Sequence, residues 1–363
     1  MAMLGGADGG ADGGADGGAD GGADGGADGI GGELFLRRHA DGSRSPLLSR
    51  ALIASHDALA NQWVGQAELA PAEYPGDNTY LENLRLPSQE LLLNCQLSGA
   101  VDVTGQVNPA VPVFEATLSV QGSDVSTISR PVEPAYFETQ LQWLRAYADL
   151  RSDRMAEIYA QVSDVMAFFG ALQYLDVGRR KYTLMMLRAV RALAIKVEAQ
   201  MKFYCRQKRP IDYTTRLQPM IQTPDHSAFP SGHATEAFAI ATVLYRLIHH
   251  DPNDPALGDP TAGINTAAMP FLLAHRIATN RTVAGVHFPA DSHAGAFLGC
   301  QIGEIFFRIA QGGDVGIRDW TPPPKEDDFL LSTFNLGAAA NTVTVVADPI
   351  VRSLYQRALA EKG

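Results

Sequence analysis

The sequence predicts a mainly α-helical protein, with a helical bundle in the second half of the chain behind an irregular N-terminal region. Three observations carry this. Apolar residues recur at steps of three and four between Met155 and Phe169, long apolar stretches with polar punctuation follow up to residue 310, and the first 132 residues show only weak periodicity. With 363 residues, 46% hydrophobic and 19% charged, the chain has ample material for a large core, which excludes wholesale disorder.

Taken in order, residues 5–28 are six tandem Gly-Gly-Ala-Asp copies, half glycine and with almost nothing to bury, so residues 1–29 are expected to form a flexible acidic tail. They lack the nine-residue pattern of a calcium-binding β-roll. Residues 30–132, rich in Gly, Pro, Asn and Ser, are expected to wrap the body as irregular chain with a few short helices and at most a hairpin near Val113–Val120. The body, 133–311, begins with a core-facing helix over 154–170. A second long helix over 178–208 is apolar on nearly all sides and expected to be central; further helices are read at 231–249, 265–279 and 291–310. Residues 312–363 are read as a Pro-rich surface arm and a closing helix at 349–361.

The net charge of −11 argues against sequence-independent nucleic-acid binding, so a bound anion has to meet a local cluster of cations. No run of eighteen apolar residues is present, so no transmembrane span is expected. The first residues have neither the basic start nor the apolar stretch of a secretory signal, which makes the cytoplasm the default compartment, with export by a non-standard route still open. Three widely spaced cysteines (Cys95, Cys205, Cys300) form no disulfide framework and are read as small core residues. The sequence leaves a homo-oligomer open and does not specify the oligomeric state.

Three segments within ninety residues carry the chemistry: Lys202-x6-Arg209-Pro210, Pro230-Ser231-Gly232-His233 and Asn280-Arg281-x5-His287-x3-Asp291. Each alone is weak; together they suit one task, holding a tetrahedral or trigonal-bipyramidal oxyanion. Lys202 and Arg209, two helical turns apart, are expected on one helix face as converging cations. Ser231 and Gly232 precede an apolar run, where free amides and the positive dipole end complement an anion that glycine lets approach closely. His233 is placed for proton exchange. Arg281 adds a third cation, and Asp291 can hold one nitrogen of His287 protonated while the other faces the anion. The grouping of His287, Asp291 and His293 lacks zinc-site spacing, and His39, His56, His249, His250, His275 and His293 are read as surface residues.

These segments resemble the signature of the type 2 phosphatidic acid phosphatase and vanadium haloperoxidase superfamily. The resemblance covers 202–291 and implies a helical bundle with the oxyanion at its core. It implies that Lys202, Arg209, Ser231, Gly232 and Arg281 bind the oxyanion, that His233 is the acid/base, and that Asp291 partners His287. His287 would be the phosphate nucleophile or the vanadate ligand. Asn280 departs from the serine usual before the arginine.

The same cage serves two reactions. A haloperoxidase would hold vanadate as cofactor, use Lys202 to polarise a peroxo group, and take hydrogen peroxide and halide as small-molecule substrates. A PAP2-type phosphatase would need no cofactor and would hydrolyse a phosphomonoester through a phosphohistidine. His226, seven residues before His233, resembles the second active-site histidine of bromide-oxidising members and tilts the reading towards the haloperoxidase. Ala199, where resembling haloperoxidases place a large Trp or Arg, counts against it. A third class, a non-catalytic scaffold using the acidic repeat, fits poorly with an intact His233, His287 and Asp291.

Overall fold

A computed structural model describes residues 46–60, 84, 86–108, 113–251, 253 and 258–362. The repeat tail expected over 1–29 lies outside the described residues, as does much of 30–85. The chain divides into two compact units, 27–91 and the remainder. In the smaller, helix α1 (Pro46–Ala60) exposes Leu52 and Ile53.

In the larger unit, α2 (Leu86–Ala100, its residues from 92 onward) leads into three antiparallel strands, β1 (Val101–Asn108), β2 (Val113–Val120) and β3 (Ser123–Ser129). This region is more regular than its composition suggests. Val101 and Val103 on β1 pair with Val120 and Leu118 on β2, and all four are buried. The β2–β3 turn is Gln121-Gly122, both with positive φ (49° and 81°), a two-residue hairpin turn whose Gln-Gly sequence is a poorer signal than Asn-Gly.

The body begins with α3 (Pro134–Tyr147) and α4 (Arg151–Ser163). The single helix read over 154–170 is broken: Asp164 leaves helical geometry (φ −142°, ψ 88°), its carboxylate accepts from the Ala167 amide, and the short α5 (Met166–Gly170) follows. Met155 and Tyr159 of the apolar stripe are exposed. Next come α6 (Lys181–Cys205), α7 (Gly232–Ile248), α8 (Pro260–Asn265), α9 (Met269–Ala284) and α10 (Pro289–Gln311). The most enclosed helix is α7, buried from Gly232 to Leu247, whereas α6, expected to be central, exposes Arg188, Ala199 and Phe203.

The close pair α7 and α10 sets the geometry of everything around it. Gly295, Gly299 and Gly303 recur every fourth residue on α10, and a Cβ at each would overlap in turn Ser231, just before α7, and Thr235 and Thr242 within it. The stripe lets the backbones approach and brings the first turns of both helices together.

The segment read as a surface arm pairs β4 (Gly313–Ile317) with β5 (Asn341–Val345), antiparallel. It also buries Trp320, Phe329 and Phe334, the last two against Phe238 of α7. Two histidines read as surface residues are half-buried by it: His293 accepts from Trp320 Nε1 at 2.9 Å, and His275 bonds the Phe329 carbonyl. Helix α11 (Pro349–Ala360) closes the chain. Cys205 and Cys300 are buried, but Cys95 is exposed. Among the described residues no helix is long and apolar enough to cross a membrane.

Candidate active site

Lys202 lies in the last turn of α6 with 4% of its surface exposed. The helix stops at Arg206, which takes left-handed geometry (φ 48°, ψ 41°) and donates its amide to the Lys202 carbonyl. Arg209 therefore does not share a helix face with Lys202, as two-turn spacing suggests; the reversal at Arg206 returns it to the same site from a loop. Asp212 accepts from the Arg209 amide at 2.9 Å, and the Arg209 guanidinium reaches the carbonyls of His226 and Val286, both at 3.1 Å.

Ser231 is the residue before α7, extended at φ −70° and ψ 122°. Its amide donates to the Asp291 carbonyl at 2.9 Å, which ties the start of α7 to the start of α10. Its hydroxyl is buried without a hydrogen-bond partner. Gly232 is needed for close approach, but its first neighbour is a carboxylate of the protein itself: a Cβ here would overlap buried Glu198, one turn before Lys202 on α6. A carboxylate at this end of α7 suits the helix dipole.

Helix α9 ends on Gly285 at φ 85°, a left-handed cap that turns the chain towards His287. His287 precedes α10, and Asp291 stands in the first turn of that helix. One Asp291 oxygen accepts from the Phe288 amide at 2.9 Å and faces His287 Nδ1 at 3.3 Å. The pair is thus a cap joined to a loop imidazole, not a helix-surface contact. Phe288, packed on Phe137 and Tyr213, and Gln140, which accepts from the Ala290 amide, fix this corner.

The tautomer of His287 follows from its partners. Arg209 Nη1 lies 3.0 Å from His287 Nε2, and a guanidinium only donates, so Nε2 carries the lone pair and Nδ1 the proton. Burial holds the imidazole well below its ordinary pKa, and Arg209, Lys202, His233 and His226 add to the shift. Burial pushes Asp291 up to about 8, against the Phe288 amide and the charges of Arg209, Lys202 and Arg130. Both directions disfavour a separated ion pair, so the ring is neutral.

Arg281 is fully buried on α9. Its Nη2 donates to the Ile158 carbonyl (3.2 Å) and Gln161 Oε1 (3.0 Å) of α4, while Nε and Nη1 have no hydrogen-bond partner. Burial pushes its pKa down to about 9, opposed by the charge of Glu236. The guanidinium is held by one end with its other donors open. His233 Nε2 sits 3.0 Å from the Gln161 carbonyl, which can only accept, so Nε2 keeps its proton and Nδ1 is the nitrogen that exchanges one. Asn280 supports this layer from behind, donating to Glu157 and Gln161 and accepting from Arg154.

His226 Nδ1 stands 3.3 Å from Lys202 Nζ and 3.2 Å from Arg209 Nη2. These three line a cavity of about 750 Å³ that also takes in Glu198, Ala199 and the exposed Phe203. Ser231, Arg281, His233 and His287 are buried rather than exposed in its walls.

A family model of the PAP2 superfamily matches residues 182–312. Over this stretch the chain is similar to the PAP2 superfamily. A curated relative, the decaprenylphosphoryl-5-phosphoribose phosphatase of Mycobacterium tuberculosis (strain CDC 1551 / Oshkosh), is 28% identical over 148 residues, covering 41% of this chain and 71% of the relative. The protein of the same name from strain ATCC 25618 / H37Rv matches to the same extent.

Every site residue read from sequence lies inside the PAP2 segment: Lys202, Arg209, His226, Ser231, Gly232, His233, Arg281, His287 and Asp291. Hydrogen bonds join Lys202, Arg209, His226, His287, Asp291 and Ser231 in one cluster, and Gln161 joins His233 to Arg281. Two residues of this site escaped sequence reading. Glu198 has only the weak signal of standing four residues before Lys202. Gln161 lies outside the PAP2 segment, on a helix read only for its apolar stripe.

Proposed function

We propose that the protein is a PAP2-type phosphatase that hydrolyses phosphomonoesters through a phosphohistidine at His287. The observation that carries this reading is the fixed His287 tautomer, with Asp291 at Nδ1 and the Nε2 lone pair turned to Arg209. The ester phosphate binds among Lys202, Arg209, Arg281, Ser231 and the Gly232 amide. The bound phosphate takes the Arg209 Nη1 donor and so frees the His287 Nε2 lone pair; Nε2 attacks phosphorus, the bond to the alcohol oxygen breaks, and His233, protonated at Nδ1, gives that oxygen its proton. Water then attacks the phosphohistidine, His233 Nδ1 takes the proton back, and inorganic phosphate leaves. Asp291 keeps Nδ1 of His287 in hydrogen bond throughout.

The preference for halide oxidation drawn from His226 gives way here. His226 bonds the two cations that line the cavity, a position that serves a phosphate cage equally, and the position of Ala199 in its wall carries no large side chain. The curated relatives are phosphatases. Vanadate has the shape and charge of phosphate and fits the open donors of Ser231 and Arg281, so in this reading it inhibits.

The test pairs two assays on the full chain. Nitrophenyl phosphate should be hydrolysed, vanadate should block the reaction, and His287→Ala should abolish it. Bromination of a diketone that needs vanadate and peroxide, without phosphate release, would reverse the assignment.

A further inference from the structure

Helix α4 lies outside the PAP2 segment, yet its last turns hold two parts of the site. The Gln161 carbonyl belongs to the end of α4, where carbonyls have no partner within the helix, and it receives His233 Nε2. The Gln161 side chain is completely buried. Its Oε1 accepts from Arg281 Nη2 and Asn280 Nδ2, both at 3.0 Å, and that fixes the amide orientation, because only oxygen can accept from two such donors. Nε2 is left buried with no hydrogen-bond partner. A buried amide donor without a partner is costly unless something accepts from it. Beside it on Arg281, Nε and Nη1 are in the same condition, and so is Ser231 Oγ. Three open N–H donors on Gln161 and Arg281, with the Ser231 hydroxyl able to donate as well, are what an anion would satisfy.

We propose that Gln161 is an additional oxyanion ligand, supplied by α4, whose Nε2 donates to the phosphoryl oxygen that Arg281 also binds. Its Oε1 aims the Arg281 guanidinium, and its main-chain carbonyl sets the His233 tautomer. One residue thus couples the anion seat to the acid/base. The proposal rests on the phosphatase reading for its substrate, but anion binding can be measured without turnover.

The experiment measures orthovanadate affinity by calorimetry and nitrophenyl phosphate kinetics for the wild type, Gln161→Glu and Gln161→Met, with melting temperature as a folding check. Gln161→Glu keeps the acceptor for Arg281 and Asn280 but replaces the donor with a carboxylate oxygen. Gln161→Met keeps the length and removes both polar atoms. We expect both to weaken orthovanadate by about tenfold or more and to lower kcat by about 10²-fold, the usual loss for one preorganised donor. A purely structural role predicts that Gln161→Glu binds orthovanadate as the wild type does, and that result overturns the proposal. If Gln161→Met does not fold, Gln161→Glu decides alone. A wild type that binds orthovanadate but hydrolyses no phosphomonoester sinks the phosphatase reading and leaves Gln161 to be judged on binding. A wild type that binds no orthovanadate overturns both.

Discussion

The cage has two sides that differ in how their polar groups are satisfied. On the cavity side, Lys202, Arg209 and His226 bond one another and neighbouring carbonyls. On the buried side, Ser231, Arg281 and Gln161 keep donors with no acceptor, each side chain being essentially closed to solvent. Unpaired donors in a buried place mark where a ligand contributes most, whereas paired ones have to exchange a partner to bind it. In the proposed reading the buried side seats the oxyanion, and the cavity side admits and orients it.

Substitutions can break or sharpen that division. The largest effect belongs to His287→Ala, where loss of the nucleophile should lower kcat by about 10⁵–10⁶-fold with the melting temperature little changed. Arg281→Gln comes next, with about 10²–10³-fold lost from kcat. Lys202→Gln, on the paired side, should cost less than Arg281→Gln and fall more on KM; equal losses would erase the distinction. Phosphate should raise the melting temperature by restoring an acceptor to the buried donors, a gain of about 2.7 kcal/mol at a hundredfold excess over Kd. Arg281 is charged below about pH 9, so that gain should shrink above it.

In the proposed mechanism His287 has to be neutral to attack. Its depressed pKa keeps the lone pair available as pH falls through the ordinary histidine range, near 6.5. Activity should therefore persist below that value, and titration of the His287 ring by NMR at an ordinary pKa would contradict it. His226→Ala should have the smallest effect, under about tenfold in kcat/KM for a phosphomonoester, because Arg209 keeps the Val286 carbonyl and His287 as partners without it.

The sequence disclosed the cage through residues whose roles depend on type and spacing. Asp291 four residues after His287 and Ser231-Gly232 before an apolar run are local signals, and the structure keeps them local. Arg209 was legible as a cation but not in its path, because the left-handed turn at Arg206 has no Gly or Asn to announce it. Gln161 was illegible for a different reason: a buried glutamine between apolar positions differs in nothing from a surface residue until α4 packs on α9. The sheet of β1–β3 was understated because Gly, Thr and Ser in its strands dilute the alternation. The Gly295, Gly299, Gly303 stripe, which joins the two helix starts, is visible in hindsight as small residues every fourth position.

The central claim is that a phosphoryl group passes through His287 Nε2 while seated among these buried donors. Rapid quenching of the full chain with a radiolabelled phosphomonoester, followed by peptide mapping, tests it most directly. An acid-labile phosphate on His287 that is absent from His287→Ala is the predicted result. Continued hydrolysis with label on another residue, or with no covalent label under conditions that slow dephosphorylation, would contradict it.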